Sequence, residues 1–152
     1  MKNRKDYSEK LKILEKTKTL VVKYGWGSNI IKKLEQLKVN SEDLTLLFPN
    51  GKQSLINFSY EVLNSKVKSK INNNIINFGI GKRIKKILIL RLEVMEKDKL
   101  FFKKTFFHLL LPQNSNIMKK NLYKSVDEIW NMAGDNSTDF NFYTKRITLA
   151  AI

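Results

Sequence analysis

In Gly25-Trp26-Gly27-Ser28-Asn29-Ile30-Ile31-Lys32-Lys33-Leu34-Glu35-Gln36-Leu37-Lys38-Val39-Asn40-Ser41-Glu42-Asp43-Leu44-Thr45-Leu46-Leu47-Phe48-Pro49-Asn50-Gly51-Lys52, two short periodic segments lie between a glycine and a proline–glycine turn. Ile30, Ile31, Leu34 and Leu37 recur at helical spacing, which predicts a short helix over about 28–38 with those residues inward. Asn40 and Ser41 can cap a briefer helix through Leu47, and Glu42 and Asp43 suit its N-terminal dipole. Phe48-Pro49-Asn50-Gly51 reads as a turn. Gly25 stands in the usual position for ending the segment before it.

Working outward, Tyr7, Leu11, Leu14 and Val21 share one face of a first helix over 6–24. On the other side a helix from Lys52 to about Ile71 buries Leu55, Phe58, Val62 and Leu63, and Asn72-Asn73-Asn74 then weakens helix continuity. Ile80 to Glu96 carries Ile84, Ile87, Leu88, Leu92 and Met95, widened by Ile89 and Leu90, which predicts a central helix. Asp98 is placed to cap a sixth helix over 99–111 with an aromatic run at Phe101, Phe102, Phe106 and Phe107; Pro112 ends it. A seventh runs from Ser115 to Ala133 with Met118, Leu122, Val126, Ile129, Trp130 and Ala133 inward, closed by Gly134. Asn136 and Asp139 offer a cap for an eighth. No segment reads as a strand. The expectation is an all-α single domain over 1–152 with about eight helices, divided near residue 50.

Composition narrows the chemistry. The 152 residues are 42% hydrophobic and 28% charged, ordinary values for a packed domain. There is no cysteine, so disulfides, thiolate zinc sites and cysteine nucleophiles are excluded. His108 is the single histidine, and it reads as a packed or surface residue. A net charge of +15 points to phosphate or anionic membrane, or simply to joint enrichment in Lys, Asn and Ile. The basic residues concentrate before about Lys104. The first eighteen residues are interrupted by Asp6, Glu9 and Glu15 and resemble neither a signal nor a transit peptide. No run of about 18 apolar residues exists to span a bilayer.

The last stretch, Gly134 to Ile152, is the least generic. Asp139, Phe142, Tyr143 and Arg146 lie at i, i+3, i+4 and i+7, an acid, two aromatics and a base on one helical face. Such a stripe is either a core edge, closed by an Asp139–Arg146 contact, or a docking surface.

Two resemblances bear on this choice. The order of helices through Gly25-Trp26 and Phe48-Pro49-Asn50-Gly51-Lys52 resembles the start of tetracycline-repressor-like regulators, in which the third helix enters the DNA major groove. Here that helix offers Glu42, Asp43 and leucines where base reading needs Arg, Lys, Asn or Gln. A tetracycline-repressor-like fold without DNA binding is therefore expected, with a DNA-binding regulator as the alternative. From Lys82 onward, Arg91-Leu92-Glu93, His108-Leu-Leu-Leu-Pro-Gln-Asn114, Val126-Asp-Glu-Ile-Trp130 and Asp139-Phe-Asn-Phe-Tyr-Thr-Lys-Arg146 resemble the Coq-nine family of ubiquinone biosynthesis.

That resemblance implies a non-enzymatic accessory protein without a cofactor. It would bind an isoprenoid quinone precursor in an apolar pocket and deliver it to the demethoxyubiquinone hydroxylase. Ile87, Leu88, Phe102, Phe106, Trp130 and Ile147 are the expected lipid contacts, against the plainer reading of an aromatic core. Asp127, Ile129, Trp130, Asp139, Phe142, Tyr143 and Arg146 are the expected hydroxylase contacts, so Tyr143→Ala or Arg146→Ala should weaken docking and leave folding intact. The family has Trp where this chain has Phe142. Family members also continue past Ile152 with a helix used for homodimerisation and an amphipathic helix for the membrane. What is expected is thus either a shortened or decaying copy or a separate polypeptide supplying the rest, cytoplasmic or peripheral on the inner face of the inner membrane, with its basic surface giving loose membrane contact.

Overall fold

The computed structural model describes residues 2–27, 29–135 and 140–151. Among these residues the chain is all-α: α1 (Lys2–Tyr24), α2 (Ile30–Gln36), α3 (Ser41–Leu47), α4 (Lys52–Lys70), α5 (Ile80–Glu96), α6 (Lys99–Leu109), α7 (Ser115–Met132) and α8 (Phe140–Ala150), with 3-10 turns at Asn73–Asn77 and Pro112–Asn114. One compact unit comprises residues 1–59 and 98–114, the other 60–97 and 115–152.

In the first unit, α1 packs against α2 and α6. Gly25 ends α1 as expected: at φ +74° its N–H donates to the Val21 carbonyl at 2.8 Å. The Asn40 side chain caps α3 by accepting from the Glu42 N–H at 2.9 Å. Leu37, expected inward, is 45% exposed. The helix stops at Gln36, Lys38 takes a left-handed φ of 59°, and the turn brings Val39 into the core in its place. On α3 only Leu44 is buried, while Glu42, Asp43 and Leu46 face outward.

The aromatic run on α6 splits between two faces. Phe101 and Phe102 are buried, whereas Phe106 and Phe107 are more than half exposed. Phe101 packs edge-on to Phe102 at 5.2 Å between ring centroids and against Trp26 at 5.9 Å. The Trp26 indole N–H donates to the Thr105 hydroxyl at 2.9 Å, and that hydroxyl donates to the Phe101 carbonyl at 2.8 Å. Asp98, expected to cap α6, makes no cap bond; its carboxylate takes the Lys18 ammonium at 2.7 Å, with Glu15 on the same ammonium at 2.7 Å. Burial pulls that ammonium down, and Asp98 and Glu15 more than offset it, so Lys18 sits above the ordinary lysine range. His108 stacks on Trp26, with burial and nearby Lys52 holding it below the usual histidine value.

In the second unit, α5 packs on α7 and α7 on α8. α5 is not the central helix its composition predicts. Ile87, Arg91 and Val94, at i, i+4 and i+7, are its buried residues, and Leu92 is 66% exposed. Against one packing partner a helix buries one such stripe, and the remaining apolar residues stay outside. Arg91 on that stripe donates to Asn64 and, at 3.1 Å, to the Ser125 hydroxyl, binding α4 and α7 to α5. Burial lowers its pKa; Tyr60 and Glu128 act against that shift.

Arg83 clamps the turn between α4 and α5. It donates to the carbonyls of Phe78 at 2.6 Å, Ile76 at 2.7 Å and Ala133 at 3.0 Å. The last of these is next to Gly134, which has φ +83° and would place a Cβ 3.2 Å from the Arg83 Nη1. Gly134→Ala therefore combines a left-handed alanine with displacement of the clamp, an expected loss of about 1–2 kcal/mol. The urea midpoint should fall at unchanged slope; a midpoint equal to wild type would show that neither constraint is felt.

Candidate functional site

Two features of the second unit are candidates. The first is a groove of about 630 Å³ between the end of α4, the Asn73–Asn77 turn and α5. Ile71, Ile75, Phe78, Ile87, Ile89 and Leu90 form its apolar walls, and Lys70, Asn72, Asn74, Lys86 and Glu93 its polar lining. The local sequence builds it simply: the asparagines end α4, Asn72 caps the turn by accepting from the Asn74 N–H at 3.3 Å, and Arg83 holds the turn's far end. The volume falls within the roughly 300–1,000 Å³ of small-ligand sites, and apolar walls with a few polar groups are their usual composition.

Of the expected lipid contacts, Ile87 alone lines this groove. Leu88 is half-buried beside it, and Phe102 is core in the other unit. Phe106 is 51% and Ile147 70% exposed, so neither sits in a pocket wall. Trp130 is buried on α7, and its indole N–H has no acceptor among the described residues. The residues that sequence reading missed are Ile71, Ile75 and Phe78. They stand as apolar residues among asparagines, at a break in helical periodicity where spacing assigns no buried face.

The second feature is the packed end of α7 and α8. The expected stripe does not lie on one surface. Arg146 is 2% exposed and turns inward. Its Nε donates to Asp127 at 2.7 Å and its Nη1 to Asp135 at 3.4 Å and to the Phe142 carbonyl at 3.2 Å, and the guanidinium carbon lies 3.3 Å from the Phe142 ring centroid. Lys145 completes the pairing on Asp135 at 2.7 Å and lies over the Trp130 ring. Ile129 and Trp130 are buried, Asp127 and Phe142 are partly covered, and Asp139 lies outside the described residues. What faces outward is Tyr143, 60% exposed, with Ile147 at i+4 on the same face. Ile147, expected against lipid, thus belongs to the surface that Tyr143 forms.

The COQ9 family model matches residues 116–152, the segment holding α7 and α8. The rat ubiquinone biosynthesis protein COQ9, mitochondrial, is 54% identical over 44 residues, 29% of this chain and 14% of that protein, and the human one is 52% identical over the same length and shares. The bovine protein of that name is 26% identical over 150 residues, covering 93% of this chain and 47% of its own length. The chain is thus similar to COQ9 proteins, most strongly over α7 and α8. It spans about half the length of the bovine COQ9 it matches. No solved structure matches it significantly.

The strongest likeness to COQ9 therefore falls where the Arg146 network is, and the groove lies before the matched segment. Among the described residues no group of three or more His, Cys, Asp or Glu could hold a metal. No described helix is long and apolar enough to cross a membrane.

Proposed function

We propose that this chain acts in ubiquinone biosynthesis as a non-catalytic lipid-binding accessory. It holds an isoprenoid quinone precursor and presents it to the hydroxylase acting on the demethoxyquinone ring. The observation that carries the lipid part is the groove, whose walls of isoleucine, leucine and phenylalanine suit a branched apolar tail. Its asparagine and lysine side chains can meet the oxygens of a quinone head. The docking part rests on the likeness to COQ9 over 116–152 and on an outward face at Tyr143 and Ile147, held in place from beneath by Arg146. Tyrosine is among the residue types that dominate interface energy.

Native mass spectrometry of the purified chain, followed by organic extraction, tests the lipid half. An isoprenoid adduct is expected on wild type and not on Ile75→Asp/Ile89→Asp, which puts two charges in the groove at positions that are only partly covered. Wild-type protein that stays clean after exposure to isoprenoid quinone precursors would overturn it. For docking, Tyr143→Ala should keep the wild-type melting temperature and capture the hydroxylase about tenfold or more weakly. Equal capture would remove Tyr143 from the interface.

A further inference from the structure

α6 is apolar on both sides, and only one side is covered. Phe101, Phe102, Thr105 and Leu109 are buried where α6 packs in the first unit. Leu100, Phe106, Phe107, Leu110 and Leu111, on the opposite side, are each at least 42% exposed. A helix that is apolar all round belongs in an interior, so the outer side lacks the neighbour its sequence is made for. Half-exposed side chains of this size together present on the order of 400 Å² of apolar surface, the scale at which a patch marks an interaction site.

The outer side has the spacing of a helix seam. Leu100, Lys103, Phe107 and Leu110 stand at i, i+3, i+7 and i+10, the alternation of three and four that lets one helix lie along another. Leu110 keeps helical backbone at the C-cap, so the seam runs to that end. Phe107 rests edge-on against Phe106 at 6.0 Å between centroids, which holds its ring in place before any partner arrives. The polar member of the seam, Lys103, is exposed and is in no ion pair among the described residues. Lys104 beside it donates to the Val22 carbonyl at 2.8 Å. No acid occurs between Asp98 and Asp127, so neither α6 nor the run that follows it offers Lys103 a carboxylate.

Lys103 decides between occupants. Two copies packed seam to seam would cover two ammonium groups with no acid in either seam to neutralise them. A bilayer taking up Leu100 and Phe107 would draw the ammonium between them out of water. A helix with a carboxylate at the facing position neutralises the charge and covers the apolar residues on either side of it. We propose that the outer face of α6 is a docking seam for an amphipathic helix of a partner protein, apolar along one stripe and carrying a Glu or Asp near the stripe's middle. α6 is in the first unit and Tyr143 and Ile147 are in the second, so this seam stands apart from the hydroxylase face proposed above. Its test needs neither a quinone precursor nor the hydroxylase.

The probe is a fluorescently labelled synthetic helix of about three heptads, with leucine at its seam positions and one central glutamate among them. A second peptide carries lysine at that central position. Anisotropy titration with the full chain should show the glutamate peptide binding about tenfold or more tightly than the lysine peptide. Phe107→Asp should weaken that binding about tenfold or more while its circular dichroism matches wild type. Leu46→Asp, at a more exposed leucine on α3, should stay within about twofold. Lys103→Glu should reverse the preference, so that the lysine peptide binds more tightly. Equal binding of the two peptides by wild type, or an unchanged preference in Lys103→Glu, would overturn the proposal. A dimer seen by sedimentation that Phe107→Asp alone dissolves would overturn it in favour of a second copy. Flotation with phosphatidylcholine–phosphatidylglycerol vesicles that Phe107→Asp abolishes, with peptide binding intact, would overturn it in favour of a bilayer.

Discussion

Arg146→Ala should lower the melting temperature by roughly 6–12 °C, corresponding to about 3 kcal/mol in a domain of this size. The guanidinium is 2% exposed and bonds to Asp127 on α7 and to Asp135 beyond its end, while lying on the Phe142 ring. Removing it leaves the Asp135 carboxylate, whose side chain is 6% exposed, to Lys145 and takes the 2.7 Å partner from Asp127. Uncompensated charge in a covered site, more than the lost attraction, makes such deletions costly. Arg146→Lys should recover only part of the loss, because one ammonium cannot span both carboxylates in the way a planar fork does. Adding Asp127→Asn and Asp135→Asn to Arg146→Met should restore stability relative to Arg146→Met alone, since the unpaired charges leave with their partner. A melting temperature within 2 °C of wild type for Arg146→Ala would show that the side chain is not buried as described. The outcome also separates two roles: hydroxylase binding lost by Arg146→Ala would follow from loosening α8, so Tyr143→Ala is the cleaner probe of docking.

Phe101→Ala should cost about 3–5 kcal/mol, seen as a fall of roughly 6–20 °C in melting temperature. The ring is 1% exposed and holds Trp26 and Phe102 in edge and tilted contacts, so its removal opens a cavity that α1 and α6 can close only by moving. The Trp26–Thr105–Phe101 hydrogen-bond chain fixes both rings and limits that movement. Phe101→Leu, which keeps most of the volume, should cost under about 1.5 kcal/mol. Phe107→Ala on the same helix, at a position 57% exposed, should stay within about 0.5 kcal/mol. Urea unfolding followed by fluorescence reads all three, because Trp26 reports directly on the cavity. Equal effects at 101 and 107 would mean that α6 is not oriented as described.

Local chemistry made much of the helix layout legible. α3 and α5 were expected within the bounds they have, because Asn40 and Gly79 begin them and Phe48-Pro49 and Asp98 follow them. Gly25 and Gly134 were expected as stops and take the positive φ that this role needs. Capping and left-handed turns involve groups a few residues apart, so a sequence window contains the whole interaction. The COQ9 motif at 139–146 was legible for the same reason, being contiguous.

Orientation was not legible in this way. Periodicity places Ile84, Ile87, Leu88, Leu92 and Met95 along one side of α5; Ile87 is buried as expected, but Arg91 and Val94 are the other buried residues, because the side that meets α7 is decided by α7. Asp139, Phe142, Tyr143 and Arg146 repeat at helical spacing, but spacing cannot say that Asp127 on α7 and Asp135 after its end meet Arg146 and draw it inward. The groove likewise needs the end of α4 and the middle of α5 side by side, a juxtaposition made by the Arg83 and Arg91 clamps across long sequence separations. By itself, then, the sequence determined where most helices begin and end, the all-α class and the likeness to COQ9 at 116–152, since caps, turns and motifs are local. The tertiary structure alone decided which faces are covered and where a cavity remains, because burial depends on what another segment brings to the same place.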